Sequence, residues 1–237
     1  MTIIFPIDRV DELRKQAREA RKVNMDGPDG WCISEVDPTD LLKVFRTLRL
    51  KDGFVLRSHQ YREDGNGDGL VWAMPVDAPL LDPGNGWSGR RRLHPHALRP
   101  AEALSNLMDA IQGDGTPWSY LEASLFAREI DDFGVFWQGS PKESEVILGA
   151  DPFCTGQQRA IVGQTPDWDG WRWSEPKPTS WEPSFQQASE TVTITFYTYR
   201  RVGRENIFRT VDTFRLGQYA FETESMKVAV GPEESTP

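Results

Sequence analysis

Apolar positions along this chain repeat with two periods, near 3.6 residues in some segments and near 2 in others. A short extended run at Ile3–Ile7 leads into a helix capped by Asp8, in which Val10, Leu13, Ala17 and Ala20 form one apolar stripe among Arg, Lys and Glu. Gly27-Pro28-Asp29-Gly30 then breaks the chain. Asp37 supplies an N-cap and Pro38 a first helical position, and Leu41, Val44, Phe45 and Leu48 follow at i, i+3, i+4 and i+7, which predicts a second helix. A third is predicted from Pro100, with Leu104, Leu107, Met108 and Ile111 on one face and Gly113-Asp114-Gly115 as its stop. Thr116-Pro117 opens a fourth, whose mostly apolar side carries Tyr120, Leu121, Ser124, Leu125 and Arg128.

Strand signals occupy the rest. Phe54–Tyr61 and Leu70–Val76 flank the turn-rich segment Asp64–Gly69 and predict an antiparallel hairpin. Val135–Trp137 and Glu145–Leu148 are short strand candidates on either side of Gly139-Ser140-Pro141-Lys142. The run Thr191–Tyr199 is rich in β-branched and aromatic residues, and strands over 206–214, 218–224 and 226–230 complete an antiparallel meander. Pro79–Pro100 reads as an irregular surface loop, and 150–189 as the least regular part of the sequence. The fold class this predicts is α+β, an antiparallel sheet made of the C-terminal meander and the N-terminal hairpin, packed with about four helices. Residues 1–230 are expected to form one domain and 231–237 a mobile tail.

Composition narrows the function classes. No run approaches the roughly 18 apolar residues of a membrane-spanning helix, and the apolar start Met1–Pro6 is too short for a signal-peptide core, so a cytoplasmic protein is expected. A formal charge of -9 gives no global support for counterion release from nucleic acid, which makes a nucleic-acid partner unlikely. Arg90, Arg91 and Arg92, like Arg200, Arg201 and Arg204, read as loop charges on that background, though the first group would attract an anionic partner. The two cysteines, Cys32 and Cys154, define neither a disulfide framework nor a thiolate metal site.

Catalytic signatures are sparse. Asp64-Gly65-Asn66-Gly67-Asp68-Gly69 matches the first half of a calcium-binding loop, but Pro75 stands where the bidentate Glu belongs, so a polar hairpin turn is the better reading and no metal ligand is assigned. His94 and His96 lie two apart, with His59 as a conceivable third ligand, but exposed loop histidines are the better reading of the pair. Glu122 and Glu129, seven residues apart on the fourth helix, read as solvated helix charge. No nucleophile elbow, phosphate loop or dinucleotide fingerprint occurs, and no cofactor is expected.

The aromatic content is the more telling feature. Nine tryptophans is above ordinary usage, and Trp168, Trp171, Trp173 and Trp181 crowd into a proline-rich stretch with little regular structure to bury them. Such rings can stack on a ligand or anchor a protein partner, but the cost of exposing large aromatics favours Trp171, Trp173 and Trp181 folding back onto the C-terminal sheet. By elimination these features point to a non-enzymatic, cytoplasmic protein-binding or regulatory module, with Trp168, Trp171, Trp173, Trp181, Arg90, Arg91 and Arg92 as its binding residues; a bacterial type is expected as a prior and is not deduced from the residues. Two other readings stand beside it: a metal-assisted hydrolase using His94, His96 and His59 on an anionic substrate, and a carbohydrate-binding module using the tryptophans.

Overall fold

A computed structural model describes residues 2–22, 29–83, 99–137, 140–141, 145–153, 171–200 and 205–231. Its elements run β1 (Thr2–Ile4), α1 (Ile7–Ala20), β2 (Gly30–Ile33), α2 (Pro38–Val44), β3 (Leu48–Leu50), β4 (Phe54–Glu63), β5 (Asn66–Pro75), β6 (Ile111–Gly113) and α3 (Pro117–Asp131). They continue with β7 (Phe136–Trp137), β8 (Ser140–Pro141), β9 (Val146–Ile147), β10 (Arg172–Trp173), β11 (Ser184–Gln187), β12 (Thr191–Arg200), β13 (Asn206–Arg215) and β14 (Phe221–Val230). The expected α+β fold packed with about four helices is overturned: among the described residues there are three helices and 40% strand, so the protein is mostly β, with an antiparallel sheet curled into a half barrel.

The missing helix has a cause outside its own residues. Between Pro100 and Ile111 the helical spacing of Leu104, Leu107, Met108 and Ile111 loses to longer-range pairing. The N–H of Leu104 donates to the Ala73 carbonyl in β5 at 3.0 Å, and Asn106 caps a single 3-10 turn over Leu107–Ala110 through its side chain, which accepts from the N–H of Met108. Ile111 then enters β6, which pairs with β3. α2 stops early for a related reason. Beyond Val44 the backbone N–H and hydroxyl of Thr47 both donate to the Glu122 carboxylate, at 2.8 and 2.5 Å, and Leu48 begins β3 instead of another helical turn.

The molecule divides into two compact units, the first made of Met1–Asp11, Glu143–Leu216 and Phe221–Pro237, the second of Glu12–Lys142 and Gly217–Ala220, so that one boundary falls inside α1. The first holds a seven-stranded antiparallel sheet in the order β1-β11-β12-β13-β14-β10, with β9 also on β12. The predicted strands over 218–224 and 226–230 are one continuous strand, β14, whose register against β13 shifts between Ile207 and Phe208. Gly231, at the start of the expected tail, is buried and donates its N–H to the Glu205 carbonyl at 2.8 Å; 232–237 lie outside the described residues.

The second unit holds the sheet β2-β4-β5-β7-β8 and the small β3-β6 pair. Its β4–β5 hairpin turns on Asp64 (φ 49°) and Gly65 (φ 73°), two consecutive positive φ values that identify the tight primed turn whose twist suits a hairpin. The turn is therefore shorter than the segment Asp64–Gly69, because Asn66 to Gly69 already belong to β5. A Cβ at Gly69 would collide with the Phe133 carbonyl oxygen, which accounts for a glycine inside the strand. Asn66 and Asp68 are thus strand residues and lie outside the turn itself.

Candidate functional site

Alternation along β12 builds the site. Val192, Ile194, Phe196 and Thr198 are buried on one face of the sheet, whereas Thr193, Thr195 and Tyr197 are half-buried on the other. Cross-strand register carries the alternation onto both neighbours. Thr195 stands opposite Ser184 in β11 and Val211 in β13, Thr193 opposite Gln186 and Thr213, and Tyr197 opposite Arg209. The segment 178–182 borders this second face, and between them lies an open groove of about 470 Å³, lined in part by Ser184, Gln186, Thr193, Thr195, Tyr197 and Arg209.

The polar side chains of the groove are mostly unengaged by protein. Ser184, Gln186, Thr193 and Thr195 make no side-chain hydrogen bond among the described residues. Arg209 Nη2 donates to Glu175 Oε1 at 3.1 Å, and the Nε of Arg209 is buried without a partner among the described residues. Burial pushes the Tyr197 phenol above its ordinary pKa, with nearby Arg209 pulling it down and Glu175 adding to the rise. It is a neutral O–H donor at physiological pH. Glu182, at the rim, accepts the N–H of Ile7 through Oε1 at 3.3 Å.

The described tryptophans of the proline-rich segment do not line the groove but pack next to Tyr197, which does. Trp171 and Trp181 are buried, at 7% and 6% exposure, in a cluster with Leu148, Phe153, Tyr199 and Ile207, and Trp173 and Tyr197 pack against it half-buried. Edge-to-face contacts link Trp173 to Trp181 (6.2 Å) and Trp181 to Tyr197 (5.3 Å), so the cluster sets the position of the tyrosine in the groove. Trp171 and Trp181 serve here as packing and offer little open ring surface. Trp168, Arg90, Arg91 and Arg92 lie outside the described residues, as do His94, His96 and Cys154. Of the second basic group, Arg200 is paired with Glu145 through Nε at 3.0 Å and Nη2 at 2.8 Å, and lies over the Phe208 ring.

In the second unit, the residues read as candidate ligands or helix charge are engaged internally. His59 is 1% exposed; its Nδ1 accepts from Trp72 Nε1 at 3.1 Å, which leaves Nε2 to donate to the Leu81 carbonyl at 3.0 Å. Burial lowers its pKa, opposed by that backbone contact and by Asp82. Glu122 and Glu129, expected to be solvated, are buried. Glu122 accepts from Thr47 and from Trp118 Nε1, and Glu129 holds Arg14 Nε at 2.7 Å and Arg21 Nε at 3.3 Å. Uncompensated burial of such carboxylates is costly, and these partners are what make it tolerable. Among the described residues no group of three or more His, Cys, Asp or Glu is placed to hold a metal ion, and no helix is long and apolar enough to cross a membrane.

Tyr197, Arg209 and the Ser184–Thr195 and Gln186–Thr193 pairs did not stand out in the sequence. The signal was present in the alternation of Thr193, Thr195 and Tyr197 with Val192, Ile194 and Phe196. It reads as an ordinary one-sided strand until the register of three strands brings the polar set together. Comparison with known proteins finds no matching family model, no matching curated protein and no matching solved structure.

Proposed function

We propose that this protein is a protein-binding module, and that its partner lays a short polar segment in the groove of the seven-stranded sheet. The observation that carries the reading is the row of side chains across β11, β12 and β13 that line an open groove, most of them without protein hydrogen bonds of their own among the described residues. A volume of about 470 Å³ suits a few residues of an extended peptide or a ligand of that size. Hydroxyl and amide groups on a rigid sheet provide donors and acceptors at the strand spacing, which suits the alternating side chains and backbone groups of a peptide.

A displayed library of random peptides is panned on the intact protein, and the enriched sequences are measured against Thr195→Trp, a substitution that fills the groove from a half-buried position. Circular dichroism and urea unfolding establish that the variant is folded. Binding that falls at least about tenfold in the folded variant supports the module. Enriched peptides that bind both proteins equally, or a library that yields none, would remove it.

A further inference from the structure

The groove has one end that is chemically different from the rest. Tyr197 and Arg209 face each other directly across β12 and β13, and both line the groove. Arg209 gives Nη2 to Glu175 at 3.1 Å, and its Nη1 has no hydrogen bond among the described residues. The Tyr197 hydroxyl likewise has none among them, while its ring is fixed against Trp181 at 5.3 Å. Everywhere else in the row the groups are neutral hydroxyls and an amide.

From this juxtaposition we infer that Tyr197 and Arg209 form an oxyanion subsite that seats a carboxylate of the bound segment, either its terminal carboxylate or an acidic side group. The inference rests on the reading of the groove as a peptide site. A guanidinium N–H and a phenolic O–H on neighbouring strands offer separate donors to the two oxygens of one carboxylate, and a charged acceptor strengthens both bonds. Tyr197 keeps its proton because burial disfavours the phenolate, so it remains a donor. The surrounding charge selects a monoanion. Glu175 already sits on Arg209, Glu182 lines the same groove, and the protein has a formal net charge of -9, so a doubly charged phosphate would meet repulsion that a carboxylate meets only in part.

The test uses the full-length protein and three aromatic-free probes, followed by chemical-shift mapping of the backbone amides of β12 and β13. The probes are N-acetyl-alanyl-alanine, its C-terminal amide, and N-acetyl-aspartyl-alaninamide, with inorganic phosphate as a fourth titrant. The free acid or the aspartyl probe should shift the resonances of Tyr197 and Arg209 saturably and at least about tenfold more tightly than the uncharged amide. Whichever of the two binds better identifies the source of the carboxylate. Arg209→Met should abolish the preference for the acid, and Tyr197→Phe should weaken it about threefold. Arg209→Lys, which keeps the charge and loses the fork, serves if the methionine variant fails to fold; it should fall between wild type and complete loss.

Equal affinity for acid and amide, undiminished acid binding by the folded arginine variants, or tighter binding of phosphate at the same resonances would each overturn the subsite. Any of these outcomes alongside library-selected peptides that still occupy the groove would end this inference alone. Loss of groove binding by the selected peptides as well would end the module reading with it.

Discussion

The two faces of the seven-stranded sheet are built from the same strands and treat polar groups in opposite ways. On the closed face Asp212 and Thr210 are buried, and each meets a neighbour on β14: Thr223 Oγ1 donates to Asp212 at 2.7 Å, and Thr210 shares a hydroxyl contact with Ser225 at 3.0 Å. Around them stand Val192, Ile194, Phe196 and Phe214, all fully buried. On the open face Thr193, Thr195, Ser184 and Gln186 have no protein partner among the described residues. Buried polar groups without partners are costly, and Asp212 and Thr210 on the closed face are paired, whereas those in the groove are left to solvent or a ligand. The contrast, more than the presence of any one residue, is what makes the open face the candidate site.

The sharpest way to break the contrast is to delete volume from the closed side. Phe196→Ala removes a ring with no exposed surface and should lower unfolding free energy by about 3 to 5 kcal/mol, read by urea denaturation at constant m-value. A loss below about 1 kcal/mol would mean that this face is not the core its burial pattern describes. Next in size is Asp212→Ala, which removes a fully buried carboxylate together with the hydrogen bond it accepts from Thr223 and should cost about 1 to 3 kcal/mol. The double variant with Thr223→Val should recover part of that loss if the pairing is the cause.

How far the sequence revealed this architecture depends on whether each element was fixed locally. The caps of α2 and α3 and the β4–β5 hairpin are written in adjacent residues, Asp37-Pro38, Thr116-Pro117 and Asp64-Gly65, and the structure uses each of them. The segment from Leu104 to Ile111 has helical periodicity too, and there a hydrogen bond to Ala73 and the pairing of Ile111 with Leu50 prevail. Contacts of that range leave no local mark. The same limit hid the burial of Glu122 and Glu129, whose partners Thr47, Arg14 and Arg21 are far away in sequence. It hid the site as well. Thr195, Ser184 and Val211 become neighbours only through strand order, and the role of Arg209 depends on Tyr197 lying across from it. The tryptophans were conspicuous in sequence for a reason the cluster makes plain, since Trp171, Trp173 and Trp181 supply apolar mass where regular structure is thin.

A smaller effect tests the pairing rule in the second unit, at His59. Its pKa is lowered in the folded protein, chiefly by burial, and the bond from Trp72 requires Nδ1 to be unprotonated. The unfolded state therefore binds a proton more readily than the folded one. Stability from this group is fully present above the unfolded value near 6.5, and is lost as pH falls through about 6.5 toward the depressed native value. Urea midpoints for the wild type should drop over that interval, and His59→Gln should show a flatter dependence there. Equal slopes would place the acid sensitivity elsewhere.

The finest test makes one chemical change on both faces. Thr198, on the closed side, is the exception to the pairing there: it is fully buried and its Oγ1 has no hydrogen-bond partner among the described residues. Thr198→Val replaces that hydroxyl with a methyl of nearly the same shape, removes a desolvation cost and should stabilise the protein by about 1 kcal/mol. Thr195→Val, three residues earlier and facing the groove, exchanges a half-buried hydroxyl and should change stability by no more than about 0.5 kcal/mol. The two values need to differ in the stated direction. If Thr195→Val stabilised as much as Thr198→Val, the groove hydroxyls would be burdens of the same kind as the buried one, and their lack of protein partners would no longer mark a surface kept open for a ligand.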